Sequence, residues 1–309
     1  MLLCLCACHE PQHAPQIEKL GTIGVDLMES TPFVFNGTLY RLEYLRENSP
    51  HNKGAPSFQR IVDVETGTTV ASLGRGFHFP SAYVSDDTLF IYAVPAGGAP
   101  EIQVFWSRDL KTWSSQEALG IPGWGIFNTS VTRGPRGFVM AFEVGSPEDV
   151  VGERFTTFFA ESDDLRNWRL VGRDRAFSKD FYSACPTLRY VNGYYYVLYL
   201  SRVSPAPKAE YATHIARSRD LSHWELSPRN PVLSHSLADY RIHNPELTAA
   251  EKKRVANAVN INNSDVDLCE HDGKVIIYYS WGNQFYVDHL AEARFNGTES
   301  GLLESFWEP

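Results

Sequence analysis

The chain has 309 residues, 43% of them hydrophobic and 13% aromatic, which is the composition of a globular protein of one large domain or two small ones. Its formal net charge of -9 argues against a nucleic-acid partner or an anionic membrane surface. No apolar run is long enough to span a bilayer.

The first residues, Leu2-Leu3-Cys4-Leu5-Cys6-Ala7-Cys8, are apolar but short and lack a basic flank. Leu5 to Cys8 resembles the lipobox that ends a bacterial lipoprotein signal, with Cys8 as the lipidated residue. His9 to Gln16, with Pro11 and Pro15, then reads as a tether. The expected organisation is a residual signal and tether over 1–15 and one domain over 16–309. The expected location is the bacterial periplasm or cell surface, with membrane contact only through Cys8 and no oligomeric partner. Of the remaining cysteines, Cys185 and Cys269 sit at different offsets from their turns. On neighbouring strands that places them on the order of 13 Å apart, so both are expected to be free thiols.

From residue 29 onward one pattern recurs. It is an apolar strand, a tight turn and a second apolar strand, and the turns fall at Asn36-Gly37, Asp86-Asp87, Gly134 to Gly137, Asn192-Gly193 and Asp272-Gly273. Asn-Gly and Asp-Gly between apolar runs are strong hairpin signals. A second pattern, S-x-D-L-x-x-W, follows three of the hairpins: Ser107 to Trp113, Ser162 to Trp168 and Ser218 to Trp224. A repeated turn that anchors a Trp is a packing device, so these are expected to be scaffold. The spacing fits four strands per repeat, which predicts an all-β, five-bladed β-propeller. One short helix is expected near Leu247 to Val259, where Thr248 and Glu251 form a capping box ahead of the last hairpin.

In a propeller the start of each blade's first strand converges on the axis. Eight residues before the hairpin glycine stand Glu29, Cys185 and Asp265. Blades two and three lack that glycine register, and His78 and Asn128 are the expected equivalents there; a slip of one residue would reverse the face. Tyr182 is the nearest polar side chain of the fourth blade. Asn263, Trp281, Asn283 and Gln284 flank the last hairpin, and with Trp124 they are expected to wall a sugar-binding pocket. Glu143 lies in an apolar strand, where burial would raise its pKa toward that of a working acid.

The blade hairpins of the form x-F-N-G-x-Y-Y and the S-x-D-L-x-x-W turns make the chain resemble the five-bladed propeller glycosidases, in particular family 43 glycoside hydrolases and their relatives. The resemblance implies hydrolysis of a plant or host glycan by a carboxylate pair with inversion. It places Glu29 at the family's first-blade base position. The family's third-blade Glu matches Asn128 or Thr129, neither of which can be a general acid, so Asp265 is the expected acid or pKa-setting partner, with Glu143 or His78 as substitutes. Two other classes stay open. A non-catalytic glycan-binding propeller would use Trp124 and Trp281; a polysaccharide lyase would use Tyr182 or His78 as base with Arg60 near a uronate. There is no G-x-S-x-G elbow, no H-E-x-x-H and no cysteine pair at zinc spacing, so no metal and no cofactor is expected.

Overall fold

The computed structural model describes residues 17–204, 209–284 and 287–308. The signal and tether expected over 1–15, including Cys8, lie outside the described residues.

The strands form five four-stranded antiparallel sheets arranged as a five-bladed propeller. Blade one runs Met28–Phe35, Thr38–Leu45, Phe58–Asp63 and Thr69–Leu73, from the axis outward. Blade two has His78–Ser85 innermost, blade three Gly125–Gly134 and blade four Ala184–Val191. Blade five has Asn262–His271 innermost, then Lys274–Gly282 and Asp288–Asn296, and its outer strand is Glu18–Val25 from the start of the chain. The ring is therefore closed by pairing Glu18 with Arg294 through Val25 with His289.

Local chemistry explains the hairpins. Asn36, Asn192 and Asp272 have φ of 51°, 46° and 50°, and Gly37, Gly193 and Gly273 follow at 81°, 85° and 70°. Two successive left-handed residues make the turn whose twist matches the flanking strands, and Asn-Gly or Asp-Gly adopts it at least cost. In the three S-x-D-L-x-x-W turns the Ser hydroxyl accepts from the Leu N–H, at 2.9–3.0 Å, and the Asp accepts two further backbone N–H groups, at 2.7–2.9 Å. Trp168 is buried among blades two and three, and Trp113 and Trp224 pack partly buried on the blade faces.

The core lies between adjacent blades. Tyr92, Phe142, Phe158 and Trp168 fill the wedge between blades two and three. Tyr279, Trp281, Leu302 and Phe306 fill that behind blade five. The helix expected over 247–259 spans Ala249–Asn257, with Thr248 and Glu251 capping each other as the sequence predicts. Its Arg254 is paired with Asp26. A turn of 3-10 helix at Leu237–Tyr240 precedes it, and two further short helices occupy Glu148–Val151 and Glu299–Ser305. Cys185 and Cys269 are free thiols.

Candidate functional site

Every innermost strand carries a β-bulge in its first turn, between Met28 and Thr31, His78 and Ser81, Ile126 and Thr129, Ala184 and Thr187, and Ser264 and Asp267. At the bulge Glu29, Phe79, Cys185 and Asp265 take left-handed φ values of 51°, 53°, 53° and 49°. That conformation costs a non-glycine residue about 1–2 kcal/mol, and it re-aims the side chain as bulges beside functional sites do. All four side chains line one cavity of about 630 Å³ at the end of the axis, together with Asn128, Glu143, Tyr182 and Gln284. A narrow axial channel continues beneath it, lined by Ser30, Thr31, Ser81, Thr129 and Thr187.

The floor of the cavity is acidic. Glu29 is held by its backbone N–H, which donates to Ser280 Oγ at 3.2 Å, and Asn128 Nδ2 donates to its Oε1 at 3.5 Å. Its other oxygen, Oε2, is buried without a partner, as is Asp265 Oδ1. Ser264 Oγ donates to Asp265 Oδ2 at 2.7 Å. Glu143 reaches the cavity from the second strand of blade three, and the Cys185 backbone N–H donates to its Oε2 at 2.5 Å. Among the described residues that line the cavity, Arg46 is the one cation, and it is paired with Asp288 at 3.1 Å.

These surroundings set the protonation. Burial pushes the Glu29 carboxyl well above the usual carboxylate range; the Asp265 and Glu143 charges add to the rise, and Arg46 opposes it. Burial likewise raises Glu143 to about 7, against the pull of the Cys185 N–H. Asp288 is raised by burial in spite of Arg46. Burial, with Asp265 and Glu143 beside it, holds the Cys185 thiol well above its ordinary value. Glu29 and Glu143, buried near other carboxyls, therefore hold their protons more tightly than exposed carboxyls do.

Of the residues expected at the site, Glu29, Asp265, Glu143, Asn128, Tyr182 and Gln284 line this cavity. The others do not. His78 lies one residue short of the bulge, hydrogen-bonded to Tyr44 Oη at 2.6 Å and Ser57 Oγ at 3.2 Å, and it faces an adjoining cleft with Arg46 and Arg254. The expected aromatic wall is corrected. Trp281 is fully buried, donates its indole N–H to Thr22 Oγ1 at 2.9 Å and ties the outer strand of blade five to the sheet. Trp124 packs 4.7 Å from Phe158 inside the blade core. Asn263 is buried and accepts from Lys19 Nζ at 2.5 Å. Arg60 donates to Glu43 Oε2 at 2.5 Å on blade one, away from the axis. Asn283 Oδ1 accepts from the Val287 N–H at 3.3 Å within its own loop.

The wall is instead made by Phe79, Phe127 and Phe155, with Tyr182 beside them. Phe79 and Phe127 are immediate neighbours of His78 and Asn128, so their signal was the same repeat read one residue off. Arg46 and Asp288 project from strand ends far apart in the sequence, and no motif marks them. A second trough of about 740 Å³ adjoins the cavity through Phe155, Tyr182 and Gln284 and runs out past Arg154, Arg202 and Tyr211.

The fold is shared with propellers of known structure. The chain is similar to the α-L-arabinofuranosidase of Lactobacillus brevis, at a TM-score of 0.61 and 12% identity over 89% of this chain and 93% of that one. It is similar to the Penicillium chrysogenum α-L-arabinanase complexed with arabinobiose, at a TM-score of 0.61 and 11% identity over 91% and 99%. The native Bacillus subtilis arabinanase gives a TM-score of 0.54 and 12% identity over 86% and 93%. At these identities the likeness is one of fold. No family model matches the chain, and no curated protein sequence matches it.

Proposed function

We propose that the protein is a glycoside hydrolase that acts on a glycan seated in the axial cavity. The observation that carries this reading is the convergence of Glu29, Glu143 and Asp265 on one cavity of a glycosidase-type propeller, with buried, unpartnered oxygens on Glu29 and Asp265. Glycoside hydrolysis uses one carboxylate to activate water or attack the sugar and one protonated acid to protonate the leaving oxygen. The electrostatics favours Glu29 as the proton donor rather than the base that the repeat position suggested, because burial and two neighbouring carboxyls keep its proton on. Asp265, which is only partly buried and oriented by Ser264, then takes the part of the base. The Glu143 charge adds to the rise at Glu29, and Glu143 itself is raised to about 7. An inverting course goes with carboxyls about 6.5–9.5 Å apart.

The trough past Tyr182 gives room for more than one sugar unit. A lyase is disfavoured: burial raises the Tyr182 hydroxyl far beyond a working base, His78 faces another cleft, and Arg60 is occupied by Glu43. A binding propeller without turnover is the second reading, favoured by one observation: the blade-four bulge position holds Cys185 where blades one and five hold carboxylates.

The test is a screen of aryl glycosides and of plant and host glycans, followed by Glu29→Gln and Asp265→Asn. Each substitution is expected to lower kcat by about 10²–10⁴-fold with glycan binding retained, and NMR of the first-formed anomer reads the stereochemistry. Full turnover in both variants would refute the assignment. Binding of a glycan that is never cleaved would establish the second reading. The lipoprotein location is likewise proposed: radiolabelled palmitate should enter the full-length precursor and be lost with Cys8→Ala, and an unlabelled wild type would refute it.

A further inference from the structure

The cavity has two unlike sides. Blades two and three, which also bring Asn128 and Glu143 to the cavity, contribute Phe79, Phe127 and Phe155, which follow one another with ring centroids 5.6 and 5.2 Å apart and interplanar angles of 58° and 77°. All three are partly exposed, and none carries a donor or an acceptor. On the side of blades five and one stand Arg46, Asp288 and Gln284.

The phenylalanine wall is clamped. A Cβ placed on Gly145 would come within 2.8 Å of Phe127 Cε2 and 2.9 Å of Phe155 Cε1, and one on Gly97 within 3.1 Å of Phe79 Cε2. The rings therefore rest on bare backbone and hold their angles. Phe155 has a left-handed φ of 63° and Phe79 one of 53°, so both rings are delivered by strained backbone rather than by free rotamers. A flat pyranose face stacks best on a flat ring, whereas rings set at 58° and 77° make creases. A crease between aromatic rings takes a group of methyl size. A hydroxyl turned into it would lose its water without finding a partner.

Resting on the glycan reading of the cavity, we propose that the sugar unit bound there carries a methyl group, a 6-deoxyhexose being the simplest case, and that Phe79, Phe127 and Phe155 select it. The methyl-bearing edge packs against blades two and three, and the hydroxyl-bearing edge faces Arg46, Asp288 and Gln284. Selectivity between methyl and hydroxymethyl then comes from desolvation, and a pocket of this kind discriminates by roughly 10- to 100-fold.

Binding to the wild-type protein is measured by saturation-transfer NMR and titration with two matched pairs: methyl α-L-rhamnopyranoside against methyl α-L-mannopyranoside, and methyl α-L-fucopyranoside against methyl α-L-galactopyranoside. The expected result is at least about tenfold tighter binding of the deoxy member in one pair, with the strongest saturation on its ring methyl protons. Phe127→Asn should abolish that preference and Phe127→Leu should keep it. Equal binding within both pairs, a preference for the hydroxylated members, or no binding in either pair would overturn the inference, and the wild-type comparison stands even if a variant fails to fold. The two readings fail separately. A protein that prefers the deoxy sugar and cleaves nothing loses only the hydrolase reading, and one that cleaves a glycan without methyl preference loses only this one.

Discussion

Glu143 is a buried carboxyl whose pKa stands at about 7 because burial disfavours its charge. Its folded value lies above its unfolded one, so the folded protein binds more protons than the unfolded chain between about pH 4.5 and pH 7. Stability from this group is full below the unfolded value and falls as the pH rises through the folded one. Glu29 is shifted in the same direction and extends the fall further. Glu143→Gln keeps an acceptor for the Cys185 N–H and removes the titration. Its Tm should therefore exceed that of the wild type at pH 8, match it near pH 4.5, and vary less between them. Scanning fluorimetry across that range checks this; a variant with the wild-type pH dependence would show that Glu143 is not the titrating group.

The S-x-D-L-x-x-W turn is the smallest element that repeats, and its chemistry is local. Asp164 accepts from the Arg166 and Asn167 N–H groups at 2.9 and 2.8 Å, which together hold its carboxyl at about 2. The turn keeps Leu165 in a left-handed conformation, φ 65°, and buries it beside Trp168. Asp164→Ala is expected to cost about 1 kcal/mol in urea unfolding, with activity per folded molecule unchanged. Such turns and the hairpin glycines are written in contiguous residues, which is why the blade number and the inner hairpins were legible, whereas the pairing of Glu18–Val25 with the last blade was not. Glu29 and Asp265 were legible for the same reason, since the bulge stands at a fixed distance before Gly37 and Gly273. Phe79 and Phe127 were not, because blades two and three lack that marker and one residue of slip reverses the face. Trp124 and Trp281 misled because an aromatic in a strand reads the same whether it will stack on a sugar or fill a wedge between blades. Arg46 and Asp288 meet only once the ring has closed.

Closure depends on the outer strand of blade five. Lys19 Nζ, on that strand, donates to Asp239 Oδ1 at 2.8 Å and to the Ser234 carbonyl and Asn263 Oδ1 at 2.5 Å each. Asp239 is fully buried and also accepts from Tyr279 Oη, Asn260 Nδ2 and the Ser236 N–H, each at 2.8 Å. The cluster therefore joins the first strand, the 3-10 turn and blade five. Lys19→Ala would leave a buried carboxylate without its cation, at a cost of about 3 kcal/mol. Chemical denaturation should show that loss as a lower midpoint with an unchanged slope, and a change below 1 kcal/mol would mean that the neutral donors alone hold Asp239.

The pairing of Glu18 with Arg294 has a consequence in time as well as in space. On the ribosome Glu18–Val25 emerges before the five innermost strands, while its partner Asp288–Asn296 follows only after all of them. At about 5–20 residues per second it waits on the order of tens of seconds as an open edge. Bare edges recruit other strands. This one carries Lys19, Gly21 and Gly24 and breaks register with its eventual partner between Lys19 and Gly21 and again between Thr22 and Gly24. Such irregularity makes it a poor template for a stranger during synthesis, and the finished blade, whose neighbouring strand matches both interruptions, is the surface shaped to receive it.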